Sequence, residues 1–159
     1  MISTIRDLFD EIIIVTNNPE EFSEFTQYKI VGDHYLKAGP LGGIHAAFKA
    51  SSEDAIFVFA GDMPFLDEEI IVDQINEYKK SQYDILIPEI DRFIEPLHAI
   101  YGKSVFTDLE RFLSEKKSRA VRDFLMKVNT GYIKIQKTMK TDLAFANINS
   151  PSDLDMLCI

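Results

Sequence analysis

Asp62 stands in Gly61-Asp62-Met63-Pro64, directly after the unbroken apolar run Ala55 to Ala60. Such a run reads as a buried strand, which puts the carboxylate at a strand's carboxyl end, where ligands of open α/β sheets bind. A carboxylate there suits Mg²⁺, which takes one or two carboxylates together with phosphates and waters. The same residues also make an ordinary turn in which aspartate holds its own backbone. Gly39-Pro40-Leu41-Gly42-Gly43 precedes an Ala-rich helix expected over 44–51 and would let backbone N–H groups approach an anion or a base. A turn that needs positive φ explains it equally well.

Three further groups carry polar chemistry. Asn147 and Asn149 flank Ile148 at the end of an extended segment, so a period of two puts both amides on one side. They serve either ligand recognition or local capping. In Glu95-Pro96-Leu97-His98 the proline removes a ladder donor, which marks an edge strand or a strand facing a cleft. Lys116, Lys117, Arg119 and Arg122 form a basic group that suits an anionic second substrate or a solvated helix face.

These residues must be positioned by alternating helices and strands. Apolar residues at helical spacing predict a helix over Ile2 to Phe9, and β-branched Ile12 to Val15 a strand ending in Thr16-Asn17-Asn18-Pro19. Further strands are expected at Tyr28 to Val31, Ala55 to Ala60, Tyr83 to Ile87, Ile94 to Tyr101 and Gly131 to Gln136. Asp67 caps a helix with Glu68 and Glu69 in its first turn and Lys79 and Lys80 at its end. Ser104 and Ser118 are expected caps of two amphipathic helices, and Ser150-Pro151-Ser152-Asp153 opens a last one. Continuous apolar strands between helices predict an α/β domain with a mostly parallel sheet covered on both faces.

The 159 residues are 46% hydrophobic, enough for one core-forming domain over 1–159. A net charge of −9 argues against a nucleic-acid partner. No run approaches the ~20 apolar residues of a membrane span. Cys158 is the single cysteine, which excludes an intrachain disulfide and points to a reducing, cytoplasmic setting. Gly102-Lys103-Ser104 imitates the end of a phosphate-binding loop, but Leu97 stands where that loop needs its first glycine.

In series, Gly39-Pro40-Leu41-Gly42-Gly43-Ile44, Gly61-Asp62-Met63-Pro64-Phe65-Leu66, Glu95-Pro96-Leu97 with Tyr101, and Asn147-Ile148-Asn149-Ser150-Pro151 resemble the molybdenum cofactor guanylyltransferases. That resemblance implies a Rossmann-like nucleotidyltransferase fold and the transfer of GMP from GTP to molybdopterin carrying molybdenum, with release of pyrophosphate. It implies Asp62 as the Mg²⁺ ligand and catalytic carboxylate, and Asn17, Asp33, Leu41 and Gly42 around the nucleotide. It also implies Pro96, Arg119, Asn147 and Asn149 around the pterin substrate. The chain departs from the family at its start: the family's first strand, its Leu-Ala-Gly-Gly-x-Ser-x-Arg-Met-Gly loop and the following lysine have no counterpart. A chain truncated in this way is expected to lack a central strand and leave its two neighbours unpaired. A CTP-using cytidylyltransferase and a non-catalytic chain that binds a nucleotide or a partner are the alternatives, as a monomer or weak homodimer.

Overall fold

Two separate sheets, rather than one, organise the chain in the computed structural model, which describes residues 1–35, 37–115, 118–150 and 153. In chain order the elements are α1 (Ile2–Ile5), β1 (Ile13–Val15), β2 (Lys29–Val31), α2 (Pro40–Ala50), β3 (Ala55–Phe59), α3 (Glu68–Lys80), β4 (Ile85–Ile90), β5 (Phe93–Ile94), β6 (His98–Gly102), α4 (Phe106–Glu115), α5 (Val121–Leu125), β7 (Thr130–Lys134) and α6 (Met139–Ala144). Short 3₁₀ turns cover Pro19–Phe22 and Lys103–Val105. β1 and β2 pair in parallel, Ile14 opposite Ile30. The larger sheet runs β3-β6-β4-β5, with β7 on the other side of β4.

The expected mostly parallel sheet is in fact mixed. β7 runs parallel to β4, whereas β6 is antiparallel to both β3 and β4. The cause is local: Asp91 and Arg92 both take positive φ, 48° and 72°, and two successive left-handed residues fold β4 back onto β5 as a tight hairpin. The expected continuous strand Ile94 to Tyr101 is therefore split, with Pro96 in the connection between β5 and β6.

Other boundaries move for identifiable reasons. α1 is only one turn long and ends at Ile5 rather than Phe9. α2 begins at Pro40, so Leu41, Gly42 and Gly43 lie inside its first turn instead of preceding it; Gly39, at φ 62°, makes the entry that proline then fixes. Ser104 does not cap α4, because it lies in the 3₁₀ turn and its Oγ donates to Asp84 Oδ1 at 2.6 Å. Ser118 accepts from the Ala120 N–H, and Ala120 holds the cap position of α5. The sequence pattern does not predict α6; a Thr138 and Thr141 capping box stabilises its six residues. Asp67 Oδ1 accepts from the Ile70 N–H at 3.1 Å, as its position predicts. Of the final helix start, Pro151 and Ser152 lie outside the described residues, as do Lys116, Lys117 and Cys158; Asp153 Oδ2 accepts from the N–H groups of Asn149 and Ser150, both at 2.8 Å.

Two cores lie on the two faces. One packs Leu41, Ile44 and Phe48 of α2 against Ile85 and Ile87 of β4, Leu109 and Phe112 of α4, and Phe124 of α5. The other gathers Ile5, Met63, Leu66 and Ile71, fringed by half-buried Phe9, Phe57, Phe59 and Ile75. Tyr83 covers Gly131 so closely that a Cβ there would strike its ring. Gly102 is a packing glycine as well, since a Cβ would lie 3.0 Å from the Asp84 carbonyl oxygen. No helix among the described residues is long and apolar enough to cross a membrane.

Candidate nucleotide site

The carboxyl ends of β1 and β3 open on one cavity of about 950 Å³, and Asn17, Asp33 and Asp62 all line it. Each reaches its place through a different element. Asn17 follows β1 by two residues and Asp33 follows β2 by two, and because these strands pair in parallel their exits lie side by side. There Asn17 Oδ1 accepts from the Asp33 N–H at 3.0 Å, while its Nδ2 donates to Asp33 Oδ2 at 3.5 Å. The asparagine thereby orients the aspartate.

Asp33 also faces the first turn of α2. A Cβ on Gly42 would lie 3.2 Å from Asp33 Oδ2 and 3.1 Å from the Tyr35 carbonyl oxygen, so a side chain at 42 would have to displace this carboxylate. Gly42 thus allows Asp33 to approach a helix N-terminus, where negative charge is favoured. Leu41 is completely buried in the core beside Ile44, so it supports the turn from behind and presents no surface to a ligand.

Asp62 lies three residues past β3 and is half-buried. Its carbonyl oxygen accepts from the Ile148 N–H at 2.8 Å. That bond brings the 147–149 segment to the Asp62 loop, with exposed Asn147 and Asn149 on either side of the anchoring residue. The segment is not a strand, so the two amides do not share a side through a strand's alternation. Pro96 is near as well: the Ala60 N–H donates to the Leu97 carbonyl, and the Pro96 carbonyl accepts from the Tyr101 hydroxyl at 2.9 Å. Arg119 does not line this cavity; its guanidinium donates to the carbonyl of Lys37, in the segment between Asp33 and Gly39.

The motif containing Glu95 assigns that residue no role at the site, yet the fold puts its carboxylate within electrostatic reach of Asp62. Burial pushes the Glu95 carboxyl above the usual range, the Leu97 N–H opposes that shift, and the Asp62 charge adds to it. The signal in the sequence is its position before a proline in an extended stretch, which does not say which way the side chain faces. His98 takes the structural role: fully buried, it meets Phe57 and Phe59 edge-on and packs on Phe145. Burial lowers its pKa to about 4, so its ring is neutral near pH 7.

A site with aspartates, backbone N–H groups at a helix N-terminus and exposed amides is suited to binding a nucleotide and a polar second substrate. A divalent cation is compatible with its chemistry. Asp62 supplies a hard oxygen donor at the mouth of the cavity, and among the described residues no group of three or more His, Cys, Asp or Glu forms a complete metal cage. A cation there would take its other ligands from phosphates and waters, as Mg²⁺ does.

Comparison with known proteins identifies the family. Residues 1–129 match the MobA-like NTP transferase domain. A probable molybdenum cofactor guanylyltransferase of Natranaerobius thermophilus is 37% identical over 161 residues, covering 98% of this chain and 78% of the relative. The crystal structure of molybdopterin-guanine dinucleotide biosynthesis protein A from Archaeoglobus fulgidus superposes with a TM-score of 0.77 at 28% identity, covering 98% of this chain and 82% of that one. The 2-C-methyl-D-erythritol 4-phosphate cytidylyltransferase of Thermus thermophilus, with a TM-score of 0.73 at 12% identity, covering 98% of this chain and 84% of that one, shares the fold alone. With the family match extending over most of the chain, and relatives aligned nearly end to end with it, the chain belongs to the MobA-like NTP transferases, among the molybdenum cofactor guanylyltransferases, and is a nucleotidyltransferase of molybdenum cofactor biosynthesis.

Proposed function

We propose that the chain transfers GMP from GTP to molybdenum-bearing molybdopterin in the cytoplasm, releasing pyrophosphate. The observation that carries this reading is the convergence of Asn17, Asp33 and Asp62 on one cavity mouth, with Asn147 and Asn149 anchored to the Asp62 loop. An oxygen of the terminal phosphate of molybdopterin attacks the α-phosphorus of GTP in line. The new P–O bond forms as the bond to the β-phosphate bridging oxygen breaks, and pyrophosphate leaves with that electron pair. No protein nucleophile is needed, so positioning and electrostatics supply the catalysis.

Asp62 would hold Mg²⁺, which when bound neutralises charge developing on the phosphates. Asp33, held by Asn17 beside Gly42, would contact the nucleotide, while Leu41 keeps the first turn of α2 in place from the core. Asn147, Asn149 and Pro96 would line the pterin side, with Arg119 offering positive charge to its phosphate.

The test is a thermal-unfolding titration with GTP plus Mg²⁺ beside CTP plus Mg²⁺, because a ligand that binds only the folded state must raise the midpoint. A rise selective for GTP is expected, whereas a rise selective for CTP would assign the other base, and none with either nucleotide would leave a non-catalytic chain. Asp62→Asn should lower transfer by at least ~100-fold, the scale of losing one electrostatic stabiliser, while shifting the melting midpoint little because the side chain is half-exposed. Unchanged turnover in that variant would refute the assignment of Asp62.

A further inference from the structure

A second cavity, of about 240 Å³, shares no lining residue with the one lined by Asn17 and Asp33. Its walls come from the β4–β5 hairpin on one side and from α6 with the residues flanking it on the other. Both walls lead to the Asp62 loop. Two residues past Glu95 the Leu97 carbonyl accepts from the Ala60 N–H at 2.8 Å, and three residues past Phe145 the Ile148 N–H donates to the Asp62 carbonyl at 2.8 Å. The cavity is therefore tied to the Asp62 loop without using the residues assigned to the nucleotide. Pockets for larger small molecules run about 300–1,000 Å³. This one has room for a single small ring system rather than a whole nucleotide.

The lining is aromatic, with one polar group left uncommitted. Phe93, 74% exposed, and half-buried Phe145 are its rings. Lys137 Nζ lies 3.6 Å from Asp91 Oδ2 and 4.0 Å from Asp142 Oδ1, so these three charges answer one another. Thr141 Oγ1 is held by the Gln136 and Thr138 carbonyls and by the Thr138 N–H. Glu95 differs: its Oε1 accepts from the Leu97 N–H at 3.3 Å, and its Oε2 has no hydrogen-bond partner among the described residues. Ile94 packs into the first core, so strand alternation sets its neighbours Phe93 and Glu95 toward the opposite face. Burial and the Asp62 charge push the Glu95 carboxyl up, and donors brought by a ligand would relieve that.

We propose that this cavity takes the pterin ring of the second substrate, with Glu95 reading the amino-oxopyrimidine edge of that ring. The inference rests on the GMP-transfer reading and names within it the residue that selects the acceptor. The edge presents a ring N–H and an exocyclic amino group side by side, both donors. An ionised carboxylate only accepts, through two oxygens, so the two are complementary and their hydrogen bonds charge-assisted. The flat ring packs against Phe93 and Phe145, as aromatic surfaces do. Guanine carries the same edge, but the nucleotide belongs to Asn17 and Asp33 in the other cavity, and this one is too small for it.

The probe is free pterin, followed by its own fluorescence and titrated into the full chain beside lumazine, which carries oxygen in place of the amino group. Saturable one-to-one binding of pterin is expected, at least ~10-fold tighter than that of lumazine, the scale of one charge-assisted hydrogen bond. Glu95→Gln keeps an acceptor for the Leu97 N–H but exchanges one acceptor oxygen for a donor, so the preference for pterin should vanish. Phe93→Ala, at an exposed position, should weaken both ligands alike by roughly 2- to 10-fold without moving the melting midpoint. No saturable pterin binding, equal binding of lumazine by the parent chain, or undiminished binding by Phe93→Ala would overturn the proposal. So would an unchanged preference in Glu95→Gln, including an equal loss of both ligands, which marks a structural role for Glu95. Displacement of pterin by guanosine would overturn it as well, since guanine would then be the occupant. The titration needs no GTP, so its failure leaves the GTP-selective rise in midpoint standing, and failure of that rise leaves pterin binding to be read by itself.

Discussion

The two faces of the larger sheet are built from equally apolar sequence and packed to different degrees. On the α2, α4 and α5 face, Leu41, Ile85, Ile87, Leu109 and Phe124 are each completely buried around a closed core. On the α1 and α3 face only four residues form the buried centre, and Phe9, Phe57, Phe59 and Ile75 remain half-buried around it. Composition does not account for the contrast, since β3 sends Ile56 and Val58 to the first core and Phe57 and Phe59 to the second. What differs is the helical cover: α2, α4 and α5 close the first face, whereas the second has α3 and the single turn of α1. Apolar residues are buried to the extent that packed elements cover them, whatever their composition.

The largest effect that tests this contrast is truncation of matched aromatics. Phe124→Ala should cost about 3–5 kcal/mol in chemical denaturation, because a closed core leaves the full cavity behind. Phe57→Ala should cost only about 1–2 kcal/mol, since part of its ring already lacks protein partners. Equal costs would show that the second face is as well packed as the first.

A pH series probes the second face through His98, whose ring packs against Phe57 and Phe59. The His98 pKa lies near 4 in the folded chain against 6.5 unfolded, so the unfolded state binds its proton first as pH falls. Its contribution is complete above about pH 6.5 and is lost as pH falls toward 4, by at most on the order of 3 kcal/mol. His45, also lowered by burial, acts in the same window, so the readout is a difference. His98→Leu should flatten the stability profile between those limits relative to the parent chain; a parallel profile would show that water already reaches the ring. The smallest effect belongs to a helix end on the looser face. Asp67→Ala removes the acceptor for the Ile70 N–H and should cost about 1 kcal/mol, measured as a shift in denaturation midpoint without a change in slope.

The placement of several candidate residues was legible because they follow local rules. Asp62 follows an apolar run that does form a strand, whereas the helix expected over 44–51 begins at Pro40, so the Gly-rich stretch is its first turn. The Asp67 cap needed only the charge pattern of α3. Glu95 was less legible, because its proximity to Asp62 depends on how the β5 to β6 connection passes the end of β3. The alternation argument for Asn147 and Asn149 failed for a similar reason: what places them is a backbone bond from Ile148 to Asp62, in a segment with no strand.

By itself the sequence determined the α/β class, most helices and strands, and the family, because apolar periodicity, caps and short motifs are written in consecutive residues. Tertiary structure alone decided the mixed sheet, through the two left-handed residues Asp91 and Arg92. It also decided the pairing of Asn17 with Asp33 and the bond that carries the 147–149 segment to Asp62. Each of these joins residues from separate elements, and strand pairing satisfies backbone groups whose partners no local pattern names.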